Sequence, residues 1–119
     1  CGVFINKNIS HEDECRLLFN SKMSLNVHDA YQRILSYDCN ERTYKSLGLN
    51  GLMVSDSNKQ LSRLFPDIKT TLDADEMLQM TKDVLSLTEA ERSDIKEINR
   101  EMILNNHCYT HRAKQMLEL

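Results

Sequence analysis

The sequence predicts an α/β fold, a Rossmann-like parallel sheet flanked by helices, and three observations carry that reading. Short apolar or alternating runs of strand length, such as residues 2–5 and 51–56, are separated by segments with helical spacing. Helix starts are marked by capping pairs: Ser10 with Asp13, Asp73 with Glu76, and Thr88 with Glu91. Strands that alternate with helices imply βαβ units and a mainly parallel sheet.

Taken in order, residues 2–5 (GVFI) form the first apolar run, and the helix after Ser10 carries Cys15, Leu18 and Phe19 on one face. Residues 22–27 alternate Met23, Leu25 and Val27 against Ser24 and Asn26, the period of a strand. A polar stretch of about a dozen residues follows. A helix is expected over 41–48, and the continuous apolar run that begins at Gly51 is the pattern of a strand covered on both faces. Residues 58–65 give one short helix stopped by Pro66, and 68–72 alternate again as a weaker, edge-type strand. Two long helices come next, with Met77, Met80, Val84 and Leu87 in phase on the first, and Ile95, Ile98 and Met102 on the second. A final helix from Tyr109 repeats the pattern with Ala113, Met116 and Leu117. The methionine stripes could line a peptide groove, but core packing is preferred because each Met is in phase with Leu, Ile or Val. The charged stretch 89–101 is read as the solvated face of a helix.

A chain of 119 residues fits one domain, 1–119, able to bury roughly two thirds of its unfolded surface. The net charge of −3 provides no global positive field for nucleic acid or an anionic membrane, so any anion site must be local. No apolar run is long enough for a transmembrane segment, and no signal peptide is evident, which points to a cytoplasmic protein. Four cysteines, Cys1, Cys15, Cys39 and Cys108, lack Cys-x-x-Cys spacing and are read as reduced thiols. The opening on Cys rather than Met fits an excised piece of something longer, or equally a processed or renumbered start.

Motifs for other chemistries are missing. There is no Gly-x-Ser-x-Gly elbow, no phosphate-loop pattern and no Gly-x-Gly-x-x-Gly fingerprint. His107 and His111 stand four apart, a spacing metal ligands use, but no carboxylate or thiolate is in phase with them, so a helix-end or packing role is preferred and no metal is assigned. A receiver-like or flavodoxin-like module is disfavoured because no acidic cluster follows the first strand.

What remains is the segment around residue 41. In open parallel sheets ligands sit beyond the carboxyl ends of the strands, where the loop from Val27 to Asn40 should emerge. Asn40 is suited to cap the next helix, and free N–H groups of its first turn would attract an anion. The helix field supplies about 0.3–1 kcal/mol, whereas a charge-assisted hydrogen bond from Arg42 or Lys45 supplies about 1.5–3 kcal/mol, so side chains should decide affinity. Set against this, Arg42 and Lys45 could simply face solvent, with Glu41 and Lys45 as a surface pair; spacing alone does not choose.

The stretches MSLNVH, NERTYKSLGLNGLMVSD, LSRLFPD and HCYTHRAKQMLEL, in that order, resemble the CgeB-type (spore-maturation) glycosyltransferases over nearly the whole chain. The family pattern is similar to LN-x-H, then N-x-R-T-F-E-A-L-A-C-G with an apolar strand ending in Asp, then L-x-x-L-F and H-T-Y-x-x-R-A-x-Q-L-L. This resemblance implies a GT-B architecture of two facing Rossmann-like domains, of which this chain would be part of the C-terminal, nucleotide-sugar-binding one. It further implies a nucleotide-diphosphate sugar as donor substrate, no cofactor or metal, an unknown acceptor, and an N-terminal Rossmann-like partner domain. By the same correspondence Asn26 and His28 lie where the strand enters the donor loop. Asn40, Arg42, Thr43 and Tyr44 would contact the diphosphate or sugar or shape the turn. Gly51 would let the following strand approach the helix, so that glycines and basic side chains together build a diphosphate-gripping helix start.

Two departures from the pattern stand out. Lys45 occupies the family's Glu slot, where the carboxylate commonly holds the ribose hydroxyls, and a lysine cannot accept those hydrogen bonds. Either Lys45 meets a phosphate or this chain has lost transfer activity. The loop before Asn40 also lacks the glycine expected near the sugar, and Asn50 stands at the family's Gly position. The leading expectation is donor binding for glycosyl transfer; the other is a non-catalytic interaction module derived from such an enzyme.

Overall fold

The computed structural model describes residues 8–119; the expected strand at 2–5 and Cys1 lie outside them. The observed elements are α1 (His11–Asn20), β1 (Ser24–Asn26), α2 (Ala30–Leu35), α3 (Glu41–Leu49), β2 (Met53–Asp56), α4 (Lys59–Leu64), β3 (Thr70–Thr71), α5 (Ala74–Ser86), α6 (Glu89–Asn106) and α7 (Tyr109–Leu117). The α/β reading holds: three parallel strands in the order β1-β2-β3 are flanked by helices. Leu25 pairs with Val54 and Ser55 with Thr70. The central place of β2 explains why all four of its residues are buried.

Helix starts follow the capping chemistry. Ser10, Asn40, Asp73 and Thr88 each accept a hydrogen bond from the amide three residues on. The Thr88 cap is a full box, with Glu91 reaching back to the Thr88 amide at 2.8 Å. The core gathers Cys39, Leu47, Met53, Leu61, Phe65 and Ile103.

Several expectations are corrected. The polar stretch after β1 contains a short helix, α2, whose buried Gln32 accepts through its carbonyl from Asn58 at 3.2 Å while its side chain receives the Asp29 amide. In β1 the alternation is real, but its polar members face inward. Ser24 and Asn26 are buried while Leu25 and Val27 stand exposed, because the inner side of this strand meets the hydrogen-bonding groups of α3 and β2. Most of the stripes on the closing helices lie outside the core, although Met102 packs against it. Met77, Met80, Val84, Leu87 and Met102 are only half-buried, and Ile98, Met116 and Leu117 are exposed. On α6 the docking face runs instead through Lys96, Asn99 and Ile103. Lys96 donates to the Ser21 carbonyl, Asn99 to the Gly51 carbonyl at 2.7 Å, and Ile103 packs on Gly48.

This docking accounts for the two glycines. Gly51 follows the C-cap Asn50 with φ +85°, and a Cβ there would lie 2.3 Å from the Lys96 carbonyl oxygen. A Cβ at Gly48 would meet the Ile103 side chain at 3.2 Å. Both glycines therefore serve the far end of α3 and the approach of α6, not the approach of the following strand and not the helix start.

Gly51→Ala should destabilise the protein by at least about 2 kcal/mol, since it adds left-handed backbone strain to overlap with α6. Gly51→Asn, which tolerates the φ but keeps a Cβ, should not rescue it in urea denaturation. Rescue by Asn would show that φ alone requires the glycine.

Candidate functional site

The carboxyl ends of β1 and β2 and the start of α3 are joined by one buried hydrogen-bond network. Asn26, fully buried, donates through Nδ2 to Thr43 Oγ1 at 3.0 Å and to Ser55 Oγ at 3.3 Å. Its Oδ1 accepts from Asn40 Nδ2 at 3.1 Å. Asn40 Oδ1 in turn accepts the Thr43 amide at 3.0 Å and the Thr43 hydroxyl at 2.8 Å. Every side-chain donor and acceptor in this ring is oriented by another, so the first turn of α3 is fixed to the sheet.

Beyond Asn26 lies a second cluster. His28 Nδ1 donates to Asp56 Oδ1 at 2.6 Å, and the His28 amide donates to both Asp56 oxygens at 3.1 Å. Arg33 stands 3.9 Å from Asp56 Oδ2, and Ser55 Oγ reaches Oδ1 at 3.5 Å. Because a carboxylate only accepts, Nδ1 must carry the proton. Nε2 is buried and finds no hydrogen-bond partner among the described residues. A buried polar atom without a partner costs about 1–3 kcal/mol, which a ligand group would recover.

The remaining site candidates point elsewhere. Arg42 is exposed on the first turn. Tyr44 turns toward the core side, its ring edge-on to Phe65 with centroids 6.0 Å apart and 6.0 Å from His107. Burial raises the Tyr44 hydroxyl pKa above its ordinary value. Lys45 crosses to α1, where Nζ meets Glu14 Oε2 at 2.8 Å. That hydrogen bond raises the lysine pKa and lowers the glutamate's. Tyr44 and Lys45 also line a cavity of about 500 Å³ between α3, α1 and the α6–α7 turn.

Thus Asn26, His28, Asn40 and Thr43 form one unit, with Arg42 at its rim and Tyr44 and Lys45 on another side of α3. Asp56 was not among the sequence candidates; the signal available was the Asp that closes the apolar strand. His107 and His111 act separately. His107 caps the end of α6 and accepts from Arg112 at 2.7 Å, while His111 accepts the Cys108 amide at 3.1 Å. Cys39 sits in the core, and burial pushes its thiol pKa up to about 11. Cys15, Cys39 and Cys108 are free thiols. Among the described residues no group of three His, Cys, Asp or Glu side chains could hold a metal ion, and no helix is long and apolar enough to cross a membrane.

A scan against protein-family models matches residues 2–118 to the family described as glycosyl transferase-like. The chain belongs to the glycosyl transferase-like family. Searches of curated proteins and of solved structures each returned no match. Family membership implies, in general terms, a sugar donor and an acceptor for this glycosyl transferase-like chain. The carboxyl ends of parallel strands, where the Asn26 and His28 networks sit, are where an open α/β sheet places ligands.

Two outcomes follow from this geometry. Asn26→Ala should cost on the order of 3 kcal/mol in chemical denaturation, because it strands partners on Asn40, Thr43 and Ser55. Burial, then the Arg112 and His111 charges, hold the His107 pKa below its ordinary 6.5. The unfolded chain therefore binds this proton more readily. The stability contributed by the neutral ring is present above about pH 6.5 and is lost as pH falls through the lowered folded value. Melting temperature should drop more steeply below that pH in the wild type than in His107→Gln, which keeps an acceptor for Arg112.

Proposed function

We propose that this chain is a single Rossmann-like domain that binds a nucleotide-diphosphate sugar for glycosyl transfer, as the C-terminal, donor-binding part of a longer cytoplasmic GT-B enzyme of CgeB type. The observation that carries the reading is His28. Its Nε2 has no partner, its other nitrogen is held by Asp56, and it stands at the end of β1 beside the fixed start of α3, in a chain of the glycosyl transferase-like family. In this reading Asn26, Asn40 and Thr43 shape the turn, since their side chains are already engaged with one another. Arg42 meets the donor's diphosphate, and the Nε2 lone pair of His28 accepts a hydrogen bond from a hydroxyl of the donor. Tyr44 and Lys45, which face Phe65 and Glu14, lie on another side of α3 and take no direct part in this reading.

In the reaction an acceptor nucleophile attacks the anomeric carbon as the bond from that carbon to the nucleotide diphosphate oxygen breaks. Negative charge grows on the departing diphosphate, and cationic and N–H donors oriented beforehand lower that barrier. The acceptor's proton goes to a base that these residues do not identify; the partner N-terminal domain is the proposed source.

One observation favours the second reading, a non-catalytic interaction module. Lys45, in the slot where the resemblance places a ribose-binding Glu, is tied to Glu14 and is not directed at a phosphate. Nucleotide response separates the two. Nucleoside diphosphates and their sugars should raise the melting temperature with concentration, by about 2.7 kcal/mol of added stability at a hundredfold excess over Kd. Arg42→Ala should abolish the shift while leaving the unliganded transition within about 0.5 kcal/mol, since the residue is exposed. A well-folded chain that answers to no nucleotide would establish the module reading instead.

A further inference from the structure

The cavity between α3, α1 and the α6–α7 turn has a chemistry of its own. Tyr44, Leu49 and Ile103 give it walls that are largely carbon, over a volume of about 500 Å³, enough for a small ligand. Arg112 enters from α7 and is half-buried. It donates to His107 Nδ1 at 2.7 Å and to Gln115 Oε1 at 3.0 Å. No carboxylate side chain of the described residues lies within 4.0 Å of it, and residues 1–7 contain no acidic side chain.

A guanidinium has five N–H donors, and its partners here, His107, Gln115 and the Tyr44 hydroxyl beside it, carry no negative charge, so the cation has no counter-ion. The neighbouring charges do not supply one. Lys45 and Glu14 neutralise each other at the α1 side, and Glu41 lines the cavity without pairing with Arg112. His11 and His111 add no negative charge. An imidazole carries no negative charge in either form, and His107 Nδ1 accepts from Arg112 at 2.7 Å, so it fixes the guanidinium without acting as a counter-ion.

We infer that this cavity is a second ligand site, separate from the one at the end of β1, that takes an amphiphilic anion: an apolar body against Tyr44, Leu49 and Ile103, and a carboxylate or phosphate head on Arg112. The apolar walls select against a free inorganic anion, and the unmatched guanidinium selects against a neutral apolar molecule.

The test uses the full chain with four probes below their micelle-forming concentrations: octyl phosphate, octanoate, octanol and inorganic phosphate. Octyl phosphate or octanoate, or both, should raise the melting temperature saturably, and the stronger of the two identifies the head group. Octanol and inorganic phosphate at equal concentration should not. Arg112→Gln should weaken binding by about tenfold to a hundredfold, as loss of a charge-assisted hydrogen bond predicts. Leu49→Trp, which fills the cavity and keeps the charge, should block binding independently, whereas Arg42→Ala should leave it unchanged. An equal response to octanol or to inorganic phosphate would overturn the inference. So would unchanged binding by Arg112→Gln, or displacement of octyl phosphate by a nucleotide sugar, which would make the cavity part of the donor site. Nucleotide response without any octyl anion response sinks this site and leaves the donor reading standing.

Discussion

Asn26 is the constraint on which the arrangement at the strand ends depends. Its amide touches both the start of α3 and the central strand β2, and it does so from β1. A buried amide has four hydrogen-bonding positions, and three are occupied here. Because its partners are themselves oriented by Asn40 and Asp56, the group behaves as a unit, and misplacing one member strands several. A larger apolar core would be more forgiving. This domain has a small one, so polar satisfaction carries an unusual share of its specificity.

The network also dictates the sense of β1. A strand with Met23, Leu25 and Val27 on one face would ordinarily turn that face inward, yet the inward side must supply the amide that holds α3. The other end of α3 follows the same logic in a different form. There the helix is fixed by backbone proximity, with Gly51 in a left-handed conformation beneath the Lys96 carbonyl and Asn50 donating to the Leu18 and Ser21 carbonyls at 2.7 Å. The helix is thus clamped at its start by side-chain amides and at its end by turn carbonyls. Its first turn is pre-set before any ligand arrives.

Local signals in the sequence located most elements because they act within a few residues. Caps at Ser10, Asn40, Asp73 and Thr88, the stop at Pro66 and the buried run of β2 all belong to this class. Which face of an element turns inward was less legible, as β1 and α6 show, because that choice is made by partners distant in the chain. Asn40 could be picked out as a helix cap, and Asn26, His28 and Thr43 by the resemblance to the glycosyltransferase pattern, but their division from Tyr44 and Lys45 could not. Two residues one helical position apart, Thr43 and Tyr44, diverge by about 100° and so face different neighbours. Glu14, which claims Lys45, is remote in sequence and carried no signal at all. Asp56 was visible as a residue, but its role as the holder of His28 needed the crossing of β1 and β2.

The Glu14–Lys45 pair bears most directly on how such a crevice could change its use. A carboxylate on the first turn of α3 would add negative charge near a helix start, whereas a lysine there opposes the helix field slightly and needs an anion. The chain supplies that anion from α1, at 2.8 Å. The charge at this position is therefore internally balanced, and among the described cationic groups that have no carboxylate partner are Arg42 at the rim and Arg112 across α3. An anionic ligand gains most where positive charge is not already matched. The balance of charge around α3 thus separates a phosphate-facing side, next to His28, from a cavity-facing side next to His107, and one helix can present two different chemistries without either neutralising the other.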